Sequence, residues 1–210
     1  GEILTHARPQ SGDTALLNPP LPEKVKKIVV DEAGVHWSDT LTLPYEPFIG
    51  TIGTSPQIEA ISSLQPDYYG GNMDVPDVAP GSIIYLPVNT EGGYLYLGDC
   101  HAIQGDGELC GVALEIPATV EIHIDLIKGH GNAWPQLETE DKMMFIGSAR
   151  PMEDAARIAY RELVRWVAAE TGQSESEAYM LLTMCGKVRL GNMVDPKYSL
   201  AAGIEKKYLK

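Results

Sequence analysis

The change in hydrophobic periodicity along the chain is the feature that most constrains its fold. Up to about residue 127, apolar residues alternate with polar ones or form short runs between glycines and prolines, which is typical of short β-strands. A three- and four-residue apolar spacing appears only after residue 150. We therefore predict an α+β, predominantly β fold, with sandwich or barrel-like sheets and a late C-terminal helix pair.

Four segments carry the main strand predictions. Residues 24–31 are predicted to form a strand, with a hairpin partner at 35–43. Residues 48–54 form a short apolar strand with two glycines, so another backbone or a ligand should approach it closely. The cleanest pattern lies at residues 119–127, where four apolar side chains share one face.

The helix signals lie late in the chain. A stripe of apolar residues at three- and four-residue steps predicts an amphipathic helix at residues 151–171, closed by Gly172. Its members are Met152, Ala155, Ala156, Ala159, Leu163 and Val167. Ser174 and Glu177 have the spacing of a capping box, so a second helix should begin there and run to Cys185.

Length and composition bound the domain organisation and the class of partner. With 210 residues, 44% of them hydrophobic, the chain can build one sizeable core. Residues 1–23 contain four prolines and no apolar period, so we predict an extended N-terminal arm there and a single β-rich domain at 24–210. The net charge of -13 argues against a nucleic-acid partner, because binding to phosphates needs a basic face.

Two further patterns bear on location. No apolar run approaches the roughly 20 residues that a membrane helix needs, so we expect no membrane partner. The three cysteines cannot all pair with one another, and none of them forms a Cys-x-x-Cys motif. Reduced thiols in a cytoplasmic protein fit this pattern best.

The stretch GDCHAIQGDGE, at residues 98–108, places three carboxylates and one histidine within eleven residues. If the preceding strand continues, Asp99 and His101 point to the same side. The glycines on either side of Asp106 let the chain fold back and bring Glu108 towards that pair. Such a set of ligands suits a catalytic zinc site. The alternatives are a hydrogen-bonded Asp–His pair without metal, a calcium-like acidic loop or a solvated turn.

A second polar group lies at residues 70–74. Two glycines followed by an amide and a carboxylate offer N–H donors beside polar side chains, which suits the binding of a carbonyl or oxyanion. The alternative is a turn with an Asx hydrogen bond. Glu115 follows an apolar run and is either buried with a function or exposed on a strand face.

Several motifs together resemble the acetamidase/formamidase family. They are PYEPFIGTIGTSP (44–56), YGGNMD (69–74), LPV (86–88) and GDCHAIQGDGELCGVALE (98–115), in matching order and spacing. The GDxHAxxGDGE stretch is highly specific to that family, and the resemblance runs from about residue 24 to the C-terminal tail. It implies a β-rich fold, a bound divalent metal, expected to be zinc, and hydrolysis of short aliphatic amides to acid and ammonia.

The resemblance also implies roles for individual residues. Asp99, His101 and Glu108 match polar positions of the family signature, as do Asp74 and Glu115. We expect a metal at Asp99, His101 and Asp74, with Glu108 or Glu115 as the general base, although ligand and base are not distinguished among the carboxylates. The residues expected to bind the substrate are Tyr69, Gly70, Gly71 and Asn72.

Two departures from the family pattern bear on substrates and partners. Family members usually have histidine where this chain has Tyr69, so ligand geometry or substrate preference should differ. They also carry a β-rich segment upstream of the equivalent of residue 24, so we expect this chain to be a fragment or to be completed by a separate chain. The resemblance suggests a homo-oligomer that takes a small amide. The competing hypotheses are a non-catalytic or incomplete subunit, and a hydrolase of larger or cyclic amides.

Overall fold

The computed structural model of the chain describes residues 2–7, 16–17, 19, 21–22, 24–129 and 131–209. Within these residues, twelve strands and two α-helices follow one another. The strands are β1 (Glu2–Ala7), β2 (Lys24–Asp31), β3 (Gly34–Ser38), β4 (Leu41–Leu43), β5 (Phe48–Gly53), β6 (Gly70–Asn72), β7 (Ile83–Tyr85), β8 (Tyr96–His101), β9 (Gln136–Glu138), β10 (Lys142–Ala149), β11 (Lys187–Leu190) and β12 (Tyr198–Glu205). The helices are α1 (Met152–Thr171) and α2 (Glu175–Cys185).

The strands form three antiparallel sheets. Their strand orders are β1-β2-β3-β4, β11-β12-β10-β9-β7 and β6-β5-β8. Because both helices follow the strand-rich part of the chain, the predicted β-rich fold with a late helix pair is confirmed.

The predicted hairpin near the N-terminus is present with one difference. Strand β2 pairs with β3, but a turn at residues 39–40 divides the predicted partner into β3 and β4. Strand β1 lies within the predicted arm at 1–23 and pairs with β2. The remainder of that arm lies largely outside the described residues.

Both helices begin and end where the sequence signals predict. Gly172 adopts the left-handed conformation after α1. The Ser174 side chain accepts from the N–H of Glu177, whose carboxylate in turn accepts from the N–H of Ser174, so the capping box is formed. Four residues of the predicted stripe are fully buried, namely Ala155, Ala159, Leu163 and Val167. In the ranges that the structure describes, no helix is both long and apolar enough to cross a membrane.

The five-stranded sheet separates two hydrophobic cores. Met143 and Phe145 of β10 point to the core shared with the helices, whereas Met144 and Ile146 point to the opposite core. Gly147 allows α1 to approach closely, because a Cβ there would lie 2.2 Å from the carbonyl oxygen of Ala155 in α1. The core away from the helices also contains Ile52 of β5, so it joins the five-stranded sheet to the three-stranded one.

One strand prediction is wrong. Residues 119–127 form no strand and belong to none of the three sheets. Several of their apolar side chains are exposed, including Ile122, Ile124 and Leu126. Alternation supplies an apolar face, but a strand also needs a neighbouring backbone for its hydrogen bonds, and no described strand pairs with this segment.

Candidate metal centre

Strand β5 is the centre of the small sheet that carries the site. It pairs with β6 on one edge and with β8 on the other. Asp74 follows β6 by two residues, whereas Asp99 and His101 lie in β8. A Cβ on Gly50 of β5 would lie 2.7 Å from Oδ1 of Asp74 and 2.8 Å from Oδ2 of Asp99. The predicted approach of another backbone occurs at Gly53, where a Cβ would lie 2.7 Å from the main-chain nitrogen of Gly71, whereas at Gly50 the close neighbours are the two carboxylates.

The loop after β8 is held by backbone bridges at two points. A bridge between His101 and Glu115 places this glutamate beside the strand. A second bridge, between Gly107 and Asn192, holds the turn before Glu108 against the segment that follows β11. The glycine-hinged bend predicted from the sequence thus brings Glu108 back to His101.

Together with Asp74, these bridges place five ionisable side chains in one cluster. Nε2 of His101 lies 3.3 Å from Oδ1 of Asp99 and 3.1 Å from Oε2 of Glu115. Each residue of the set Asp74, His101 and Glu108 offers one ligand atom, and these atoms lie within 4.8 Å of one another. Asp74, His101 and Glu108 are buried, and we call them the inner triad. Asp99 and Glu115 lie nearer the surface, and we call them the outer pair.

Two neighbours fix the orientation of His101. Its ring packs edge-on against Phe48, with 4.8 Å between the ring centroids, and its Nδ1 lies 2.9 Å from Oε1 of Gln104. Nε2 of Gln104 donates to the carbonyl oxygens of Asp74 and Gly191, at 2.9 Å each. The other ring nitrogen of His101 is thereby directed at the carboxylates.

Three carboxylate residues of the cluster have left-handed backbone. The φ angles are 53° at Asp74, 57° at Asp99 and 49° at Glu108, and Tyr94 is the one other non-glycine residue with positive φ in the described chain. This conformation costs an L-residue roughly 1–2 kcal/mol, so the surrounding structure must hold it in place. Backbone strain of this kind is typical of functional sites.

Burial and crowding shift the pKa values of the inner triad. Burial raises the pKa of Glu108 to about 8, since the opposing effect of His101 is offset by nearby carboxylates. Burial also raises the pKa of Asp74, and the charge of Glu108 adds to this effect. Burial alone would lower the pKa of His101, but the carboxylates of the outer pair raise it to about 10. Without a cation, the cluster therefore holds protons near neutral pH.

The side chains present fit a divalent cation. Nε2 of His101 and Oδ1 of Asp74 are buried and make no hydrogen bond within the described part of the chain. Nε2 lies close to two carboxylate oxygens, those of Asp99 and Glu115, which a shared cation could bridge to the ring. An imidazole with several carboxylates is a donor set that zinc uses, and a cation would replace the protons that the cluster holds. The inner triad is therefore a candidate metal site.

Asn72, one of the residues predicted to bind substrate, is held at both ends of its side-chain amide. Its Oδ1 accepts from the hydroxyl of Thr51, and its Nδ2 donates to Oδ2 of Asp195 at 2.7 Å. The Thr51 hydroxyl also lies 3.2 Å from Oδ2 of Asp99. Asn72 and Thr51 thus connect a carboxylate of the outer pair to Asp195.

The three residues before Asn72 are also constrained. Gly70 and Gly71 have φ angles of 94° and 96°, and a Cβ on either would collide with the main chain. The N–H of Gly70 donates to the carbonyl oxygen of Asp67 at 2.9 Å. Tyr69 is buried, and its hydroxyl donates to the carbonyl oxygen of Gln65 at 2.8 Å. These bonds fix the segment in place, while its role towards the substrate stays a prediction.

Sequence reasoning assigned no role to four polar residues that contact the cluster: Thr51, Gln104, Asn192 and Asp195. Nδ2 of Asn192 donates to Oδ2 of Asp74 and to the carbonyl oxygen of Asn72, at 3.1 Å each. The sequence contains one sign that two of these segments are related. The tripeptide GNM comes before an aspartate both in GNMD (71–74) and in GNMVD (191–195). The hydrogen bonds of Asn192 show that these two segments meet at the site.

The side chains of the cluster lie in the part of the chain that resembles known proteins. The profile of the family described as Acetamidase/Formamidase matches residues 57–202, which include every carboxylate of the cluster. An acetamidase of Mycolicibacterium smegmatis is 34% identical over 125 residues, which cover 58% of this chain and 28% of that relative.

Two solved structures share the fold closely. The acetamidase of Yersinia enterocolitica has a TM-score of 0.93 and 52% sequence identity, and the match covers 100% of this chain and 65% of that one. The acetamidase of Bacillus halodurans has a TM-score of 0.92 and 34% identity, with 99% of this chain and 70% of that one covered. The chain thus spans less than two thirds of the length of the Yersinia structure. Because the family profile matches more than half of its residues, the protein belongs to the acetamidase/formamidase family.

Proposed function

We propose that the protein is a metal-dependent hydrolase of short aliphatic amides, of the acetamide and formamide type, which releases a carboxylic acid and ammonia. The observation that carries the proposal is the inner triad, whose ligand atoms lie within 4.8 Å of one another and are buried. Family membership supports the reaction class, since the three relatives described above are named acetamidases.

The ion that we propose is zinc, held by His101 and Asp74 of the inner triad together with Asp99 of the outer pair. This leaves Glu108, the third member of the triad, free for proton transfer. Calcium sites are built from six to eight oxygen ligands, whereas the imidazole nitrogen available here is a usual zinc ligand. When bound, such an ion polarises the amide carbonyl and lowers the pKa of water to about 7. Elemental analysis of the purified protein tests the assignment: we expect zinc, and calcium in its place would contradict it.

Glu108 is the residue that we assign to proton transfer. Its carboxyl group is buried beside His101, and once ionised it can take a proton from the attacking water and pass it to the leaving nitrogen, which departs as ammonia. Glu115 contacts the same histidine from a more exposed position and is the alternative base. We place the amide on the side of Tyr69, Gly70, Gly71 and Asn72.

Turnover of acetamide and formamide, measured before and after chelation, tests the proposal. We expect chelation to abolish turnover and added zinc to restore it. Glu108→Gln should lower kcat by about 10²–10⁴-fold, the usual contribution of a general base. Asp106→Asn is the matched control, because Asp106 lies in the same loop but pairs with Arg189, and it should keep its activity. Full turnover by the metal-free protein would refute the proposal.

A second candidate function is that of an incomplete subunit that completes an amidase site with another chain. The observation that favours it is length, since the chain spans 65% of the Yersinia structure and 70% of the Bacillus one. Purification from the native source tests it, because a second polypeptide should then co-elute in fixed proportion. Turnover by this chain alone would reject it.

We further propose that the protein is a cytoplasmic homo-oligomer. Cys100, Cys110 and Cys185 are free, which suits a reducing compartment. Light scattering of the purified protein tests the oligomeric state, and a monomeric mass would contradict it.

A further inference from the structure

The side-chain amide of Gln104 occupies a central place in the cluster. Its Nε2 donates to the carbonyl oxygens of Asp74 and Gly191, and its Oε1 faces Nδ1 of His101, with all three distances at 2.9 Å. One side chain therefore joins the loop after β8 to the segments that follow β6 and β11. Each of those segments contributes a polar group to the site.

These contacts determine which nitrogen of His101 carries a proton. A carbonyl oxygen can only accept, so the end of the Gln104 amide that faces two carbonyls must be the nitrogen. The other end is then an oxygen, which also only accepts. It follows that Nδ1 of His101 is the donor in that contact. In the neutral ring, Nε2 therefore keeps its lone pair and is directed at the carboxylates.

We propose that Gln104 is a positioning residue that fixes His101 in the form protonated at Nδ1 and so presents Nε2 to a divalent cation. This inference rests on the proposed metal dependence, but it makes a separate claim about the ring. Partners of this kind orient metal-bound histidines in general, and their removal typically weakens metal binding about 10–100-fold. We expect that loss for Gln104→Leu, which removes both the donor and the acceptor.

The competing explanation is that Gln104 only ties three segments together. Gln104→Glu separates the two roles, because a carboxylate still accepts from Nδ1 but no longer donates to both carbonyls. If positioning matters, zinc affinity in Gln104→Glu should exceed that in Gln104→Leu, even where both variants unfold at the same temperature. Equal loss of affinity in the two variants, in step with their stability, would overturn the proposal.

Nuclear magnetic resonance of the full chain, labelled with ¹⁵N at histidine, provides the direct test. His101→Gln identifies the signals of His101 by their absence. In the metal-free protein and in the zinc-loaded protein, we expect a slowly exchanging proton on Nδ1 of His101, which Gln104→Leu should expose to fast exchange. A ring without a proton on Nδ1, or a signal unchanged in Gln104→Leu, would overturn the proposal.

Zinc titration of the same samples keeps the two claims apart. If the wild-type chain shows the protected Nδ1 proton but binds no zinc, the ring orientation stands and the proposed metal dependence fails. If zinc binds tightly to a ring that lacks the Nδ1 proton, the metal dependence stands and the role of Gln104 fails.

Discussion

Glu108 illustrates how burial changes the chemistry of a single side chain. Its pKa is about 8 in the folded protein, whereas the ordinary pKa of a glutamate side chain is 4.5. Between these values the folded state binds more protons than the unfolded state. The stability of the metal-free protein should therefore fall as the pH rises through this window.

Glu108→Gln should remove that part of the pH dependence, because glutamine resembles the protonated acid and does not titrate. We expect the metal-free variant to be at least as stable as the wild type at pH 8, although its turnover is lost. Urea unfolding at several pH values between 5 and 9 measures the effect. Asp106→Asn, the control from the same loop, should keep the wild-type slope, and an unchanged slope in Glu108→Gln would contradict the prediction.

At the same scale, the sequence allowed the local part of the site to be predicted. Asp99 and His101 lie two residues apart on one strand, and the glycines beside Asp106 indicated the bend, so their convergence with Glu108 followed from short-range geometry. The contact of Gln104 with Gly191 joins residues 87 positions apart. No local periodicity carries that information, because it depends on how three separate segments pack.

The elements show the same division between local and long-range causes. Helices α1 and α2 were predictable because their caps and apolar stripe lie within each segment. Residues 119–127 were not, because alternation indicates a strand only when another strand lies beside it. Caps and an apolar stripe are properties of the segment itself, whereas strand pairing depends on what lies beside the segment.

A pair of isoleucines tests this account of the elements. Ile146 in β10 is 0% exposed, whereas Ile124 is 67% exposed. Ile146→Ala should destabilise the protein by about 2–5 kcal/mol, since it leaves a cavity in the core between the two sheets. Ile124→Ala should change stability by less than about 0.5 kcal/mol. Chemical denaturation measures both, and a large loss in Ile124→Ala would show that this segment is covered in solution.

At the scale of the whole molecule, the candidate metal centre depends on segments that are distant in sequence. Its inner triad draws on residues after β6, within β8 and in the loop that returns to β11. A cation held by Asp74, Asp99 and His101 links two of these segments, and it does so only when the chain is folded. Metal binding should therefore stabilise the folded state as a whole.

A thermal unfolding experiment tests that coupling. A zinc concentration one hundred times the dissociation constant should stabilise the protein by about 2.7 kcal/mol, seen as a rise in Tm. His101→Gln, which lacks the imidazole ligand, should show a much smaller rise. An equal rise in both proteins would place the zinc elsewhere.

The left-handed backbone at Asp74, Asp99 and Glu108 has a consequence for protein engineering. Glycine adopts this conformation without the penalty that an acidic residue carries. A selection for heat resistance alone would therefore favour glycine at these three positions. Thermostable variants obtained in that way would gain stability by discarding the very groups that the fold holds in place, so a screen must score the proposed amide turnover alongside melting temperature.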